Sequence, residues 1–179
     1  MTSHLARLIL PWLVVALTAC TPAPAQTTAD GRAGFCGPED ANAVTVIIDF
    51  GPLGPEPLIG CASNLSAGAR GIDALRALGI QVTEVARQPQ FICRLDGYPT
   101  PEQTLAIPGQ ASYVEDCVKT PPSTAYWTYW SADEGGQWAY SLLGYTMHEV
   151  IFGGYEGYSF ALNLPTGGAK PSIPPQRPA

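Results

Sequence analysis

Five cysteines, two histidines and fifteen acids hold most of the reactive chemistry available to this 179-residue chain. Nucleophilic catalysis with a histidine base would have to use His148, because the other histidine, His4, lies in an N-terminal apolar segment. No Gly-Xaa-Ser-Xaa-Gly turn accompanies it. His148 and Glu149, in the run Tyr145-Thr146-Met147-His148-Glu149, read as an exposed loop pair. Glycoside hydrolysis needs two facing carboxylates. The candidates Asp96, Glu115, Asp116, Asp133 and Glu134 all sit in or beside turns, where acids are common. Gly135-Gly136 and Gly167-Gly168 lack the spacing of a phosphate loop or dinucleotide fingerprint. No cysteine pair has the Cys-Xaa-Xaa-Cys spacing of a zinc site. The expectation is a protein that is not an enzyme and carries no catalytic residue, metal or cofactor.

The cysteines carry a different chemistry. An apolar run over residues 8–17 follows His4 and Arg7 and is too short to span a bilayer. It ends in Leu17-Thr18-Ala19-Cys20, which looks like a bacterial lipobox. Cleavage before Cys20 and acylation of its sulfur would leave a lipid-anchored product, and this reading is favoured over an ordinary cleaved signal. Each buried CH₂ of the lipid adds about 0.8 kcal/mol to anchoring. Residues 20–34 are small, polar and proline-containing, and read as a flexible tether reaching about 20 Å. Cys36, Cys61, Cys93 and Cys117 then remain, an even number in an exported domain, which points to disulfides. Three pairings are possible. Cys36–Cys61 and Cys93–Cys117 are favoured because each staples neighbouring segments and closes a loop of about 25 residues, worth about 3.5 kcal/mol.

Binding chemistry is concentrated in aromatic rings. Residues 125–130, Ala-Tyr-Trp-Thr-Tyr-Trp, form a strand, and Trp138-Ala139-Tyr140 follow a turn of Asp133, Glu134, Gly135 and Gly136. A symmetric hairpin would set Trp130 opposite Trp138 and Thr128 opposite Tyr140. Side chains alternate along a strand, so Trp127 and Tyr129 share one face while Tyr126 and Trp130 share the other. These rings are either the core of a small domain or a surface that stacks on a ligand. The candidate ligand-binding set is Tyr126, Trp127, Tyr129, Trp130, Trp138 and Tyr140. If the helix packs on Trp127 and Tyr129, the ligand-facing members are Tyr126, Trp130, Trp138 and Tyr140.

The elements that must position these groups are mainly strands. Strands are expected over 43–50, 57–61, 80–86, 90–95, 112–118 and 155–162, with a loop over 98–109. The one convincing helix spans 70–79, with Ile72, Leu75 and Leu78 on one face, Asp73 near its start and Gly79 as its stop. Gly and Pro make up about a fifth of the chain and charged residues only 13%. The net charge of −6 becomes about −7 once Arg7 is removed with residues 1–19. That balance excludes a nucleic-acid partner, which needs clustered Lys and Arg. Residues 164–179 are proline-rich, lack apolar periodicity and read as a disordered tail.

Taken together, Val46-Ile47-Ile48-Asp49-Phe50-Gly51, Gly71-Ile72-Asp73-Ala74-Leu75, Phe91-Ile92-Cys93-Arg94-Leu95-Asp96-Gly97, Cys117-Val118-Lys119-Thr120-Pro121-Pro122, Tyr126-Trp127-Thr128-Tyr129-Trp130 and Glu156-Gly157-Tyr158-Ser159-Phe160 resemble a family of exported actinobacterial proteins with a transcobalamin-like C-terminal domain. The resemblance covers residues 43–162. It implies a small α+β domain over 35–163 with a mainly antiparallel, β-grasp-like sheet and one short helix. Related domains in animal cobalamin carriers close over a corrinoid; the chain departs from those carriers in that the large helical domain that grips the corrinoid there is not expected in this sequence. Members of that family look like companions of membrane uptake systems. The expectation is a disulfide-stapled binding module on the extracytoplasmic face of the cell membrane. It would present a small, corrinoid-like ligand or dock onto a transporter component. The alternative is a cell-envelope interaction lipoprotein with no small-molecule ligand.

Overall fold

The computed structural model describes residues 28–178, so the expected signal segment and Cys20 lie outside the described residues. Ten strands and one α-helix follow in order: β1 (Asp30–Ala33), β2 (Val44–Asp49), β3 (Leu58–Ser63), α1 (Gly71–Ala77), β4 (Val82–Val85), β5 (Gln88–Leu95), β6 (Thr104–Ile107), β7 (Gln110–Val114), β8 (Ala125–Ala132), β9 (Ala139–Tyr140) and β10 (Tyr155–Leu162). A single 3-10 turn, Gly51–Leu53, follows β2.

Six strands form one sheet in the order β1-β3-β2-β10-β8-β9. The central pair, β2 and β10, is parallel, with Tyr155 opposite Thr45 and Ser159 opposite Asp49. The other pairings are antiparallel. All six residues of β2 are buried. Strands covered on both faces favour β-branched runs over strict alternation, and Val44-Thr45-Val46-Ile47-Ile48 is such a run. Two small hairpins, β4–β5 and β6–β7, stand apart from the main sheet.

The first face of the sheet carries the core. Val44, Val46, Ile48, Trp127, Tyr129, Tyr158 and Phe160 pack there with Leu75 of α1. The helix starts where the Asp73 carboxylate accepts the Arg70 N–H at 2.9 Å and stops at Gly79, whose φ of +71° suits glycine. The second face holds Ile47, Ala132 and Tyr155, with Phe35, Ile59, Trp138 and Ile173 against them. Both disulfides form as favoured: Cys36–Cys61 ties the stretch before β2 to β3, and Cys93–Cys117 ties β5 to the stretch before β8. The described residues thus form a disulfide-stapled, mostly β domain with one short helix.

Four expectations change. Asp30–Ala33 is not tether but an edge strand on β3. Its side chains are all exposed, so only its backbone pairs and no apolar pattern marks it. Residues 104–107 are not loop: Leu105 and Ile107 alternate inward between prolines that hid the signal. The aromatic hairpin is offset, with Trp130 opposite Tyr140 and Ser131 opposite Ala139. Trp138 stays in the connection and folds back over the second face, leaving Thr128 without a partner on β9. The largest change concerns the proline-rich residues 164–178. They are not a free tail but lie along the second face, with Ala169, Pro171 and Pro175 buried. They adopt neither helix nor strand, so periodicity could not report them.

Candidate functional site

The aromatic strand β8 divides its rings between the two faces. Trp127 and Tyr129 point into the core, where Trp127 meets Phe50 and Phe160 edge-on at 5.8 and 5.5 Å. Tyr126 and Trp130 point to the second face, where Trp130 meets Tyr140 at 5.2 Å. Trp130 is only 6% exposed. Its indole N–H donates to the Ala169 carbonyl at 2.9 Å, and that of Trp138 donates to the Ile173 carbonyl at 3.0 Å. These two rings are therefore covered by the chain itself.

The other four members of the predicted set do meet at one opening. Tyr126, Trp127, Tyr129 and Tyr140 line a groove of about 230 Å³ together with Phe91, Ile92 and residues 141–145. The groove exists because β9 pairs with only two residues of β8. Beyond them the chain turns away through residues 141–145, with the Ser141 N–H still held by the Tyr129 carbonyl at 2.9 Å. Phe91 of β5 closes the opposite wall and lies 6.5 Å from the Tyr126 ring. Leu142 on the rim is 93% exposed and Leu143 is 50% exposed. The lining is apolar with phenol edges, so it suits a ring that stacks and takes one or two hydrogen bonds.

Under the groove lies a polar cluster that the reading of the sequence missed. Glu156 of β10 is fully buried and accepts a short hydrogen bond from the Tyr129 hydroxyl. Tyr158 stacks on Tyr129 with ring centres 5.0 Å apart. Both hydroxyls lie against Gly71, where a Cβ would come within 2.7 and 2.8 Å of them. Glycine at the start of α1 is what lets the helix settle on the two phenols. His148, expected in an exposed loop, instead turns its ring edge-on to Tyr129 at 5.5 Å. Its Nε2 stands 3.7 Å from Glu156 Oε1. Among the described residues neither atom has a hydrogen-bond partner, nor have the Tyr158 hydroxyl and Thr146 Oγ1.

Burial decides the charge of this cluster. It pushes the Glu156 carboxyl up from the ordinary 4.5 to about 8, against the opposing pull of the Tyr129 hydrogen bond. Burial also lowers His148 and raises the Tyr129 and Tyr158 phenols beyond reach of neutral pH. Around pH 7 the pair is a neutral acid beside a neutral imidazole, not a salt bridge. Glu156 could have been found in the sequence, since Glu156, Tyr158 and Phe160 share one face of an alternating strand. No signal in the sequence pointed to His148 as its neighbour.

The two places where acids and sulfurs gather, Cys36, Asp40 and Cys61, and Cys93, Glu115 and Cys117, are both built on disulfides. Bonded sulfurs are poor ligands, and the carboxylates are committed. Asp40 accepts the Gly37 N–H and holds Arg32; the Gly37 hydrogen bond first, with Arg32 after it, keeps its carboxyl low against the opposing effect of burial. Glu115 takes the Cys117 N–H at 2.7 Å and the Tyr113 hydroxyl.

No protein-family model, curated protein or solved structure matches this chain. The functional reading therefore rests on the groove and its surroundings.

Proposed function

We propose that this protein is a lipid-anchored, extracytoplasmic binding module that takes a ring-bearing small ligand in the Tyr126–Tyr140–Phe91 groove. The observation that carries this is an open, aromatic-lined groove beside an incomplete edge of a rigid sheet. Its volume of about 230 Å³ falls below the roughly 300–1,000 Å³ that encloses a drug-sized molecule. The ligand is then a single ring system, or one edge of something larger such as a corrinoid held by a second protein. That is the role of an accessory to a membrane uptake system, which receives or hands over its cargo without burying it. The kinship with transcobalamin-like exported proteins belongs to the same proposal. Support for a β-grasp-like fold comes from the strand order β3-β2-β10-β8-β9 around one helix, with parallel strands at the centre.

Trp127 lines the groove, so its fluorescence reports occupancy. A panel of monosaccharides, aromatic amines and a corrinoid should include one compound that shifts it saturably. Tyr126→Ala and Tyr140→Ala should each weaken that response about tenfold. Silence across the panel would remove the small-ligand reading.

A second reading is an envelope interaction protein. Leu142, Leu143, Met147, Ile151 and Phe152 are all exposed within residues 142–152, an apolar concentration that favours a protein contact. A photocrosslinker at position 142 that captures one membrane protein, with no small-molecule response, would support this reading instead.

A further inference from the structure

We propose that the second face of the sheet is a recognition groove for proline-rich peptides of the pattern Pro-Xaa-Xaa-Pro-Pro-Xaa-Arg, filled in this chain by its own residues 167–177 until such a segment of a partner displaces them. This goes beyond the ring-ligand reading and does not depend on it.

The resident segment reads Pro171-Ser172-Ile173-Pro174-Pro175-Gln176-Arg177. Sheet-side groups grip its backbone in order along its length. Trp130 Nε1 donates to the Ala169 carbonyl at 2.9 Å, and the single proton of Thr128 Oγ1 is shared between that carbonyl and the Ser159 carbonyl, both at 2.7 Å. Asp49 Oδ2 accepts the Ser172 N–H at 2.7 Å. Trp138 Nε1 donates to the Ile173 carbonyl at 3.0 Å. The Gly135 N–H donates to the Pro175 carbonyl at 2.7 Å. The segment bends at residues 172–173 and 175–176, with the Gln176 N–H on the Pro174 carbonyl at 2.8 Å, so the groove reads carbonyls and proline rings of a bent chain and not a polyproline helix. Proline suits this role because it fixes φ and leaves its carbonyl free.

The seat for the first proline is cut into the sheet. A Cβ on Gly157 would come within 2.7 Å of the Pro171 ring and 2.8 Å of Trp138. Gly157 thus makes a slot with Trp138 as its wall. At the far end Glu134 takes the Arg177 guanidinium and backbone N–H, each at 3.0 Å. That contact sets the direction in which a peptide lies. Neither disulfide ties the segment down, and it joins β10 through exposed residues 163–166. The tether gives the resident segment an effective concentration of about 1 mM. A partner must therefore carry a better or locally concentrated copy of the pattern.

The test cuts that tether. A specific protease site is placed at residues 165–166 of the otherwise intact chain, and the protein is cleaved after folding. The indole N–H resonances of Trp130 and Trp138 report the groove, while that of Trp127, held by the Tyr98 carbonyl at 3.2 Å, reports the core face. The segment adjoins the ring-ligand groove only at its first residue, where the Gly167 N–H reaches the Tyr126 hydroxyl at 3.4 Å. We expect a labelled synthetic 167–178 peptide to exchange into the cleaved protein with the Trp127 resonance unmoved. An unrelated peptide carrying the same Pro and Arg pattern should compete with it. A Pro171→Ala peptide should bind about tenfold weaker and an Arg177→Ala peptide, which loses a partly exposed ion pair, about threefold weaker. Gly157→Ala protein should lose the exchange while keeping its β-sheet circular dichroism. The proposal is overturned if departure of the segment unfolds the sheet, or if no exchange occurs within a day. It also falls if the alanine peptides bind as well as the parent, or if unrelated pattern peptides fail to compete. A dimer formed by swapping the segment between two copies would make a second copy the occupant and overturn the partner assignment.

Discussion

The two faces of the central sheet are closed in opposite ways. On the first, α1 and the hairpins bury apolar side chains against Trp127, Tyr158 and Phe160, and one acid, Glu156, goes under with them. On the second, a segment without secondary structure is held by backbone hydrogen bonds through Trp130, Trp138 and Asp49 and by a few seated side chains, Ala169, Pro171, Ile173 and Pro175. Side-chain burial of the first kind contributes about 25 cal/mol per Å² and cannot be given up singly. Hydrogen bonds of the second kind are each worth about 1 kcal/mol net. One face is therefore built to persist, and the other can be remade with a different chain.

Several substitutions would break or sharpen that contrast. The largest effect belongs to the first face: Trp127→Ala should cost about 3–5 kcal/mol in urea unfolding, against about 1–2 kcal/mol for Trp138→Ala on the second. Equal costs would erase the distinction. Replacing both Cys93 and Cys117 by serine should cost about 2–5 kcal/mol, measured by thermal melting with Cys36–Cys61 left intact.

The pH dependence tests the buried acid. The folded Glu156 carboxyl, at about 8 rather than 4.5, keeps its proton where the unfolded chain loses it. Its contribution is whole below about pH 4.5 and is lost as pH rises through about 8. His148, lowered by burial, acts with the opposite sign and withdraws stability as pH falls below its ordinary 6.5. Glu156→Gln should flatten the decline between pH 4.5 and 8 and gain about 1–3 kcal/mol at pH 8. Because His148 raises the wild-type midpoint over part of this range, the comparison is with the variant: a Glu156→Gln midpoint that runs parallel to wild type between pH 5 and 8 would show that Glu156 ionises in the fold as it does in the unfolded chain. The smallest effect is expected for Arg177→Ala on the second face. Its ion pair with Glu134 is about one-third exposed on each side, so less than about 1 kcal/mol should be lost.

What could be read in the sequence follows the same division. The β-branched run of β2, the alternation in β8 and β10, and the helix face of Ile72, Leu75 and Leu78 were visible because side-chain burial imposes a period. The cysteine pairing followed from proximity along the chain. β1 and residues 165–178 were not visible, because backbone groups hold them and every residue carries those. Proline density pointed to disorder in a segment whose partners, Gly157 and two indole N–H groups, lie elsewhere in the chain. The hairpin offset was hidden because Trp138 looked like a strand residue and serves as a wall. The groove was half legible. Its rings were named, but its opening comes from β9 ending after two residues.

The parallel pairing of β2 with β10 has a consequence for assembly. Thr45 and Tyr155 are neighbours in the sheet yet stand about 110 positions apart along the polypeptide. A ribosome delivers one long before the other, and contacts of such high sequence separation are slow to find. Until β10 arrives, no strand pairing joins the β2–β3 hairpin to β8, so the hydrogen-bonded middle of this sheet is the last part of it to be made.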